Sequence, residues 1–146
     1  MTTQATVDAL NKLLASSYTL YVKTHNYHWN VTGPMFSALH ALFELQYTEM
    51  AMALDEIAER IRSLGALAPG SFSAFAALSA IEEENGHPNA MEMVRKLAAD
   101  QDVIAQLSHK VIAAAEPMGD QATIDLAVRR TQVHEKHAWM LRSHLE

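Results

Sequence analysis

Apolar residues recur along this chain at intervals of three and four, with polar residues between them. Val7, Leu10, Leu13, Leu14, Leu20 and Tyr21 mark one such stripe. Met91, Val94, Leu97, Ile104, Val111 and Ile112 mark a second, and Ile124, Val128, Val133, Trp139 and Met140 a third. This is the period of an amphipathic helix, and nowhere does the two-residue alternation of a strand persist. All five glycines and four prolines fall into four clusters: Gly33-Pro34, Gly65 with Pro69-Gly70, Gly86 with Pro88, and Pro117 with Gly119. Helix breakers are thus swept out of the intervening segments, as long helices require. The spacing predicts long helices near residues 4–31, 35–64, 90–116 and 120–144, and a short one near 72–82. Asn89 with Glu92, and Asp120 after Gly119, are placed to cap helix N-termini.

The breaks at 33–34 and 117–119 are short, so each joins antiparallel neighbours. The middle connection, roughly 25 residues long, can return the chain along the bundle. The expected fold is all-α: one domain over residues 1–146, a four-helix bundle with one long crossover carrying a short extra helix. That is the ferritin-like topology.

Composition narrows the function classes. There is no cysteine, which removes disulfides and thiolate metal sites. No apolar run approaches the eighteen or so residues of a membrane span. The start, MTTQATVDALNKLL, lacks the basic and apolar regions of a signal peptide, so the expected compartment is the cytoplasm. A net charge of −6 disfavours nonspecific binding to nucleic acid.

Chemistry concentrates in HNYHWNVTGPMFSALHALFE, residues 25–44, and in LDEIAERI, residues 54–61. Folding the hairpin at Gly33-Pro34 places His28 and His40 at similar height on adjacent helices. His40 and Glu44 share a helix face, as do Asp55 and Glu59, because each pair is four residues apart. Glu44 and Asp55 differ by only about 20° around the helix, yet lie roughly 16 Å apart along it. Within one chain the two halves cannot meet. Across a two-fold axis near Glu49 and Met50 they can, and one dimer would then hold two identical sites. The plainer alternative is a helix histidine and a solvated acid pair with no joint role. The only Glu-x-x-His, Glu84 with His87, runs into the Gly86-Pro88 loop, so the usual intramolecular di-iron pattern of this topology is absent.

These segments, with H-W-N-V, G-P-x-F, L-H and D-x-x-A-E-R at their spacings, resemble the signature of the Dps family, the miniature ferritins named for DNA protection during starvation. The resemblance covers essentially the whole chain. It implies a hollow dodecamer built from two-fold dimers. It also implies ferroxidase activity on ferrous iron, preferably with hydrogen peroxide, and storage of the ferric product. The family's ligand positions fall on His28, His40 and Glu44 of one subunit and on Asp55 and Glu59 of the other. Many members carry aspartate where this chain has Glu44. Imidazole and carboxylate both accept ferrous iron. Trp29, beside His28, is either a nearby electron donor or a packing anchor.

Other residues carry weaker expectations. His25 is an outer ligand or a bystander. Tyr27 and Tyr47 read as packing. His134 and His137 form an H-x-x-H that either binds a surface metal or packs the bundle. Asp120 and Asp125 are candidates for an acidic three-fold pore, with an N-cap as the alternative for Asp120. The rival function is a nucleoid-associated DNA-binding protein with iron storage secondary. Against it, no lysine or arginine precedes Lys12, and the chain ends SHLE without a basic extension. Only scattered helix-surface cations such as Lys12, Lys23, Arg95 and Lys96 remain, so DNA binding is expected to be weak. A third reading, a metal-free helical oligomer, requires the five ligand positions to stay empty.

Overall fold

The computed structural model describes residues 3–146; the first two residues of the N-terminal stretch without basic groups lie outside it. Four long helices, α1 (Gln4–Asn30), α2 (Phe36–Ser63), α4 (Ala90–Ala115) and α5 (Gln121–Arg142), pack as two antiparallel hairpins. The short α3 (Phe72–Leu78) lies on the crossover between them. No helix among the described residues is long and apolar enough to cross a membrane.

The helix ends follow the predicted signals. Val31 closes α1 with its backbone N–H on the Tyr27 carbonyl at 3.0 Å, and the Phe36 N–H returns to the Gly33 carbonyl at 3.0 Å. Gly33 takes φ +103°, a backbone that side-chain-bearing residues rarely adopt, which is why glycine stands between the two histidine-bearing helices. Asn89 accepts from the Glu92 N–H and Asp120 from the Thr123 N–H, so both residues are N-caps. The short helix ends at Leu78, four residues before the predicted boundary. Ser79 turns extended there: its hydroxyl accepts from the Ile81 N–H, and the next N–H, of Ala80, donates to Ser16 on α1. These tertiary partners outweigh the helical propensity of the segment.

The core is apolar and closed, with Leu10, Leu20, Phe43, Ile57, Leu97 and Ile104 fully buried. Each such side chain contributes about 1.5–3 kcal/mol relative to exposure. The crossover is held by charge as well. Glu84 accepts from the Tyr27 hydroxyl, from Lys96 and from the Gly86 N–H. The Tyr27 bond leads in lowering the Glu84 carboxyl to about 2, while burial first and Glu84 second push the Tyr27 phenol up. Glu84 is therefore fully committed as a strut. Lys23, expected on the surface, is instead 6% exposed, donates to the Glu82 carbonyl at 2.9 Å and lies 2.9 Å from Asp100. Its ammonium ties α1 to the crossover and to α4.

Candidate metal centre

His28 sits in the last turn of α1 and His40 in the second turn of α2. Their rings stack with centroids 3.8 Å apart and planes 13° apart. Nδ1 of each lies 2.7 Å from the backbone carbonyl of the other. A carbonyl oxygen only accepts, so both Nδ1 atoms must carry the proton. In the neutral rings this leaves both Nε2 lone pairs bare and held in one orientation. That is how metal-binding imidazoles are oriented: one nitrogen donates to a fixed oxygen and the other faces the ion. The His28 carbonyl belongs to the last four of α1, which lack intrahelical partners, so the bond from His40 also caps that helix.

Glu44 brings the first carboxylate, Oε1 3.7 Å from His28 Nε2, on a side chain 60% exposed. Asp55 and Glu59 stand further along the same face of α2, exposed and without an ion pair among the described residues. Between Glu44 and Asp55 that face carries Leu45, Thr48, Ala51 and Met52, all exposed. Leu45 is 57% and Met52 69% accessible. Among the described residues, no three ligand-type side chains of one chain converge on a common point. The fold therefore sets His28 beside His40 and within 3.7 Å of Glu44 without closing a three-ligand site in one chain, and among the described residues no hydrogen bond or ion pair joins Asp55 or Glu59 to them.

An aromatic ladder flanks the histidine pair. Tyr47 lies edge-on to His28 at 5.2 Å and tilted against His25 at 4.4 Å; His25 in turn carries the Trp29 ring at 3.8 Å. His25 is thus engaged with aromatic rings, 6.2 Å from His28 between centroids. Burial first, then the neighbouring His28, pushes its pKa down. Trp29 points outward and is 62% exposed. Tyr47 packs against both His25 and His28, the packing role expected of it. Nothing in the local sequence pattern distinguishes it from a core tyrosine.

The terminal H-x-x-H does not face solvent. His134 and His137 are 0% and 5% exposed. His134 Nδ1 donates to Gln101 Oε1 at 2.6 Å, and its Nε2 accepts from Arg130 at 3.0 Å. Arg130 also grips Glu49 through two bonds, at 2.6 and 2.9 Å. A surface-metal role for this pair is overturned: guanidinium and amide already fill the nitrogens of His134. Asp120, the pore candidate, is bound by Arg60 at 2.8 Å and by Thr123. Burial raises its pKa, but the Thr123 bonds and Arg60 outweigh that and hold the carboxyl below its usual range. Its charge is neutralised locally, whereas Asp125 is exposed and among the described residues accepts only from Gln121.

A bundle of four long helices with one crossover, and a histidine-carboxylate surface beside its hairpin turn, defines a ferritin-like protein. The family model of the ferritin-like domain matches residues 7–146. The DNA protection during starvation protein of Brevibacillus brevis is 40% identical over 94% of this chain and 92% of its own length. A solved Dps structure from Bacillus brevis superposes with TM-score 0.95 at 36% identity, covering 98% of this chain and 96% of that one. Another, from Vibrio cholerae, is described as belonging to a broad superfamily of ferritin-like diiron-carboxylate proteins. It superposes with TM-score 0.94 at 33% identity, covering 99% and 91%. The chain belongs to the Dps family.

Proposed function

We propose that two copies pack antiparallel through α2 and build two shared iron sites. Each would take His28, His40 and Glu44 from one copy and Asp55 and Glu59 from the other. The observation that carries this reading is the reciprocal bonding of His28 and His40, which fixes the orientation of two Nε2 atoms, one on a buried ring and one on a half-buried ring. An antiparallel register setting Glu44 opposite Asp55 sets His40 opposite Glu59 and Thr48 opposite Ala51. The smallest side chains then meet near the axis, letting the helices approach closely, and Leu45 and Met52 lose their exposure to water.

Ferrous iron is the substrate of such a site. Two ferrous ions each give up one electron to one hydrogen peroxide; its O–O bond breaks, two protons are taken up and two waters form. Both electrons reach the same peroxide, so no hydroxyl radical is released. This is iron storage acting as oxidative protection, with the ferric product kept inside a hollow dodecamer. Trp29, its ring tilted against His25 next to the site, would serve as a nearby electron donor.

Anaerobic ferrous titration followed by peroxide addition tests the reading. Saturable ferrous binding counted per dimer, then a stoichiometry of two irons per peroxide, is the expected result. Full oxidation by a species that light scattering shows to be monomeric would refute the shared site.

A further inference from the structure

Where α2, α4 and α5 meet, the core turns polar. Gln46 and Glu49 reach this place from α2, Gln101 from α4, and Arg130, His134 and His137 from α5. Nη2 of Arg130 lies 2.9 Å from Glu49 Oε1 and 3.0 Å from His134 Nε2, and Nη1 lies 2.6 Å from Glu49 Oε2. A carboxylate and an imidazole nitrogen thus converge on one cationic nitrogen. His134 is oriented as a metal-bound imidazole is, because its Nδ1–H is held by the Gln101 side-chain oxygen at 2.6 Å. His137 Nδ1 and Gln46 Oε1 lie close by in sequence on the same two helices. Both are buried with no hydrogen-bond partner among the described residues, on side chains 5% and 0% exposed. Buried polar atoms are rarely left bare.

These are the parts of a metal site with a side chain in place of the ion. Helix bundles build core metal sites from carboxylates and imidazoles on facing helices. Nitrogen and oxygen ligands stand about 2.0–2.2 Å from a divalent ion such as zinc. An ion at the Nη2 position would need Glu49 and His134 to close in by only about 0.8–0.9 Å each. His137, its ring centroid 6.1 Å from that of His134 and almost one helical turn further on, supplies a third ligand. With the guanidinium in place, no three ligand side chains among the described residues converge. We propose that Arg130 holds the place of a divalent metal ion among Glu49, His134 and His137, and so keeps such ions out of the bundle interior. Two imidazoles and a carboxylate suit ferrous iron, zinc and similar ions. A lone ferrous ion there would give peroxide one electron, splitting its O–O bond into hydroxide and a hydroxyl radical, the outcome that paired iron avoids. The site belongs to one chain and stands whether or not two copies share iron through α2.

The probe is cobalt(II), whose visible absorption marks tetrahedral coordination. The parent is the full-length chain with His40→Asn and Asp55→Asn, which removes ligands from both halves of the proposed shared site. This parent should show no tetrahedral cobalt spectrum. Arg130→Ala in the same chain should bind about one cobalt with that spectrum. Its thermal unfolding midpoint should rise with cobalt, while that of the parent does not. Adding His134→Gln should abolish the spectrum. Adding Gln101→Leu, which removes the oxygen that orients His134, should weaken binding about 10–100-fold. Removing one partner of a buried ion pair is destabilising, so Arg130→Met, which keeps an aliphatic stem, repeats the test. Folded chains of both variants that bind no more cobalt than the parent would overturn the proposal. So would two variants that stay unfolded even with cobalt, since the ion should supply the missing cation. A parent that already binds cobalt in a His134-dependent way would overturn the exclusion of metal by Arg130. None of these results bears on iron held between two chains, because the parent lacks those ligands.

Discussion

Arg130 donates one N–H to Nε2 of the buried His134 while its guanidinium stays doubly bonded to Glu49. A proton on that nitrogen would set N–H against N–H, so the network requires His134 neutral. Burial first, then Arg130 and His137, pushes its pKa well down. His137 beside it is lowered to about 4, mainly by burial, with Glu49 opposing and Arg130 and Lys136 adding to the effect.

Acid stability follows from those two groups. In the unfolded chain both histidines titrate near their ordinary value, about 6.5. Between that pH and about 4 the unfolded state binds more protons, so folding stability falls as pH falls through this window. His137 alone accounts for about 3 kcal/mol once pH reaches its folded value. Urea unfolding midpoints should therefore drop steadily from pH 6.5 to 4. His137→Gln should flatten that dependence, and a wild-type profile already flat over the window would contradict the argument.

Complementation between inactive chains tests the sharing of the site. His40→Asn keeps an N–H where Nδ1 donates and removes only the ligating nitrogen; Asp55→Asn removes the opposite half. Each alone should oxidise iron poorly. In randomly mixed dimers half the molecules are mixed, and each of those carries one site with both lesions and one with none. Coassembled protein should recover about a quarter of wild-type peroxide-dependent iron oxidation. No recovery in mixed shells verified by mass spectrometry would place the ligands within one chain.

The crossover strut predicts a local effect. Tyr27→Phe deletes the hydroxyl that bonds Glu84, a bond to a charged acceptor worth about 1.5–3 kcal/mol. Limited proteolysis should cut first between residues 79 and 88 in this variant, with α1, α2, α4 and α5 still protected. Unchanged cleavage kinetics would show that Lys96 and the Gly86 N–H suffice.

Protection of DNA should depend on iron removal and not on contact. Among the helix cations, Lys23 is buried against Asp100, Arg95 is paired with Glu92 and Lys96 with Glu84, which leaves scattered ones such as Lys12, Lys110 and Lys136. Near 0.15 M salt and neutral pH, duplex DNA should not be retarded in a gel, yet should survive an iron-peroxide challenge in the presence of the protein. His40→Asn with Asp55→Asn in one chain should abolish that survival. Retained protection by this variant would favour a direct nucleoid role.

The helix limits were legible because their signals are local: glycine-proline breaks, and the N-caps at Asn89 and Asp120. The level placement of His28 and His40 followed from counting out from Gly33-Pro34. What escaped depends on distant partners. Lys23 reads as a surface residue until Glu82 and Asp100 arrive from the crossover and α4. The H-x-x-H at 134–137 gives no hint of its direction until Gln101 and Glu49 close over it. The end of α3 was overrun because Ser16, far back in the chain, holds the Ala80 N–H. The mutual bonds of the two imidazoles depend on ring orientation, which spacing alone does not specify.

Those mutual bonds make His28 and His40 serve the hairpin and the proposed chemistry with the same rings. Exchanging His40 for a carboxylate would leave the His28 carbonyl at the end of α1 without its donor, and exchanging His28 would remove the matching bond to the His40 carbonyl within α2, so these positions cannot drift toward harder ligands without loosening the turn. The acids on the exposed face of α2 carry no such second duty. Variation in metal preference among descendants of this chain would therefore accumulate at positions 44, 55 and 59, with the two imidazoles inherited as a fixed pair.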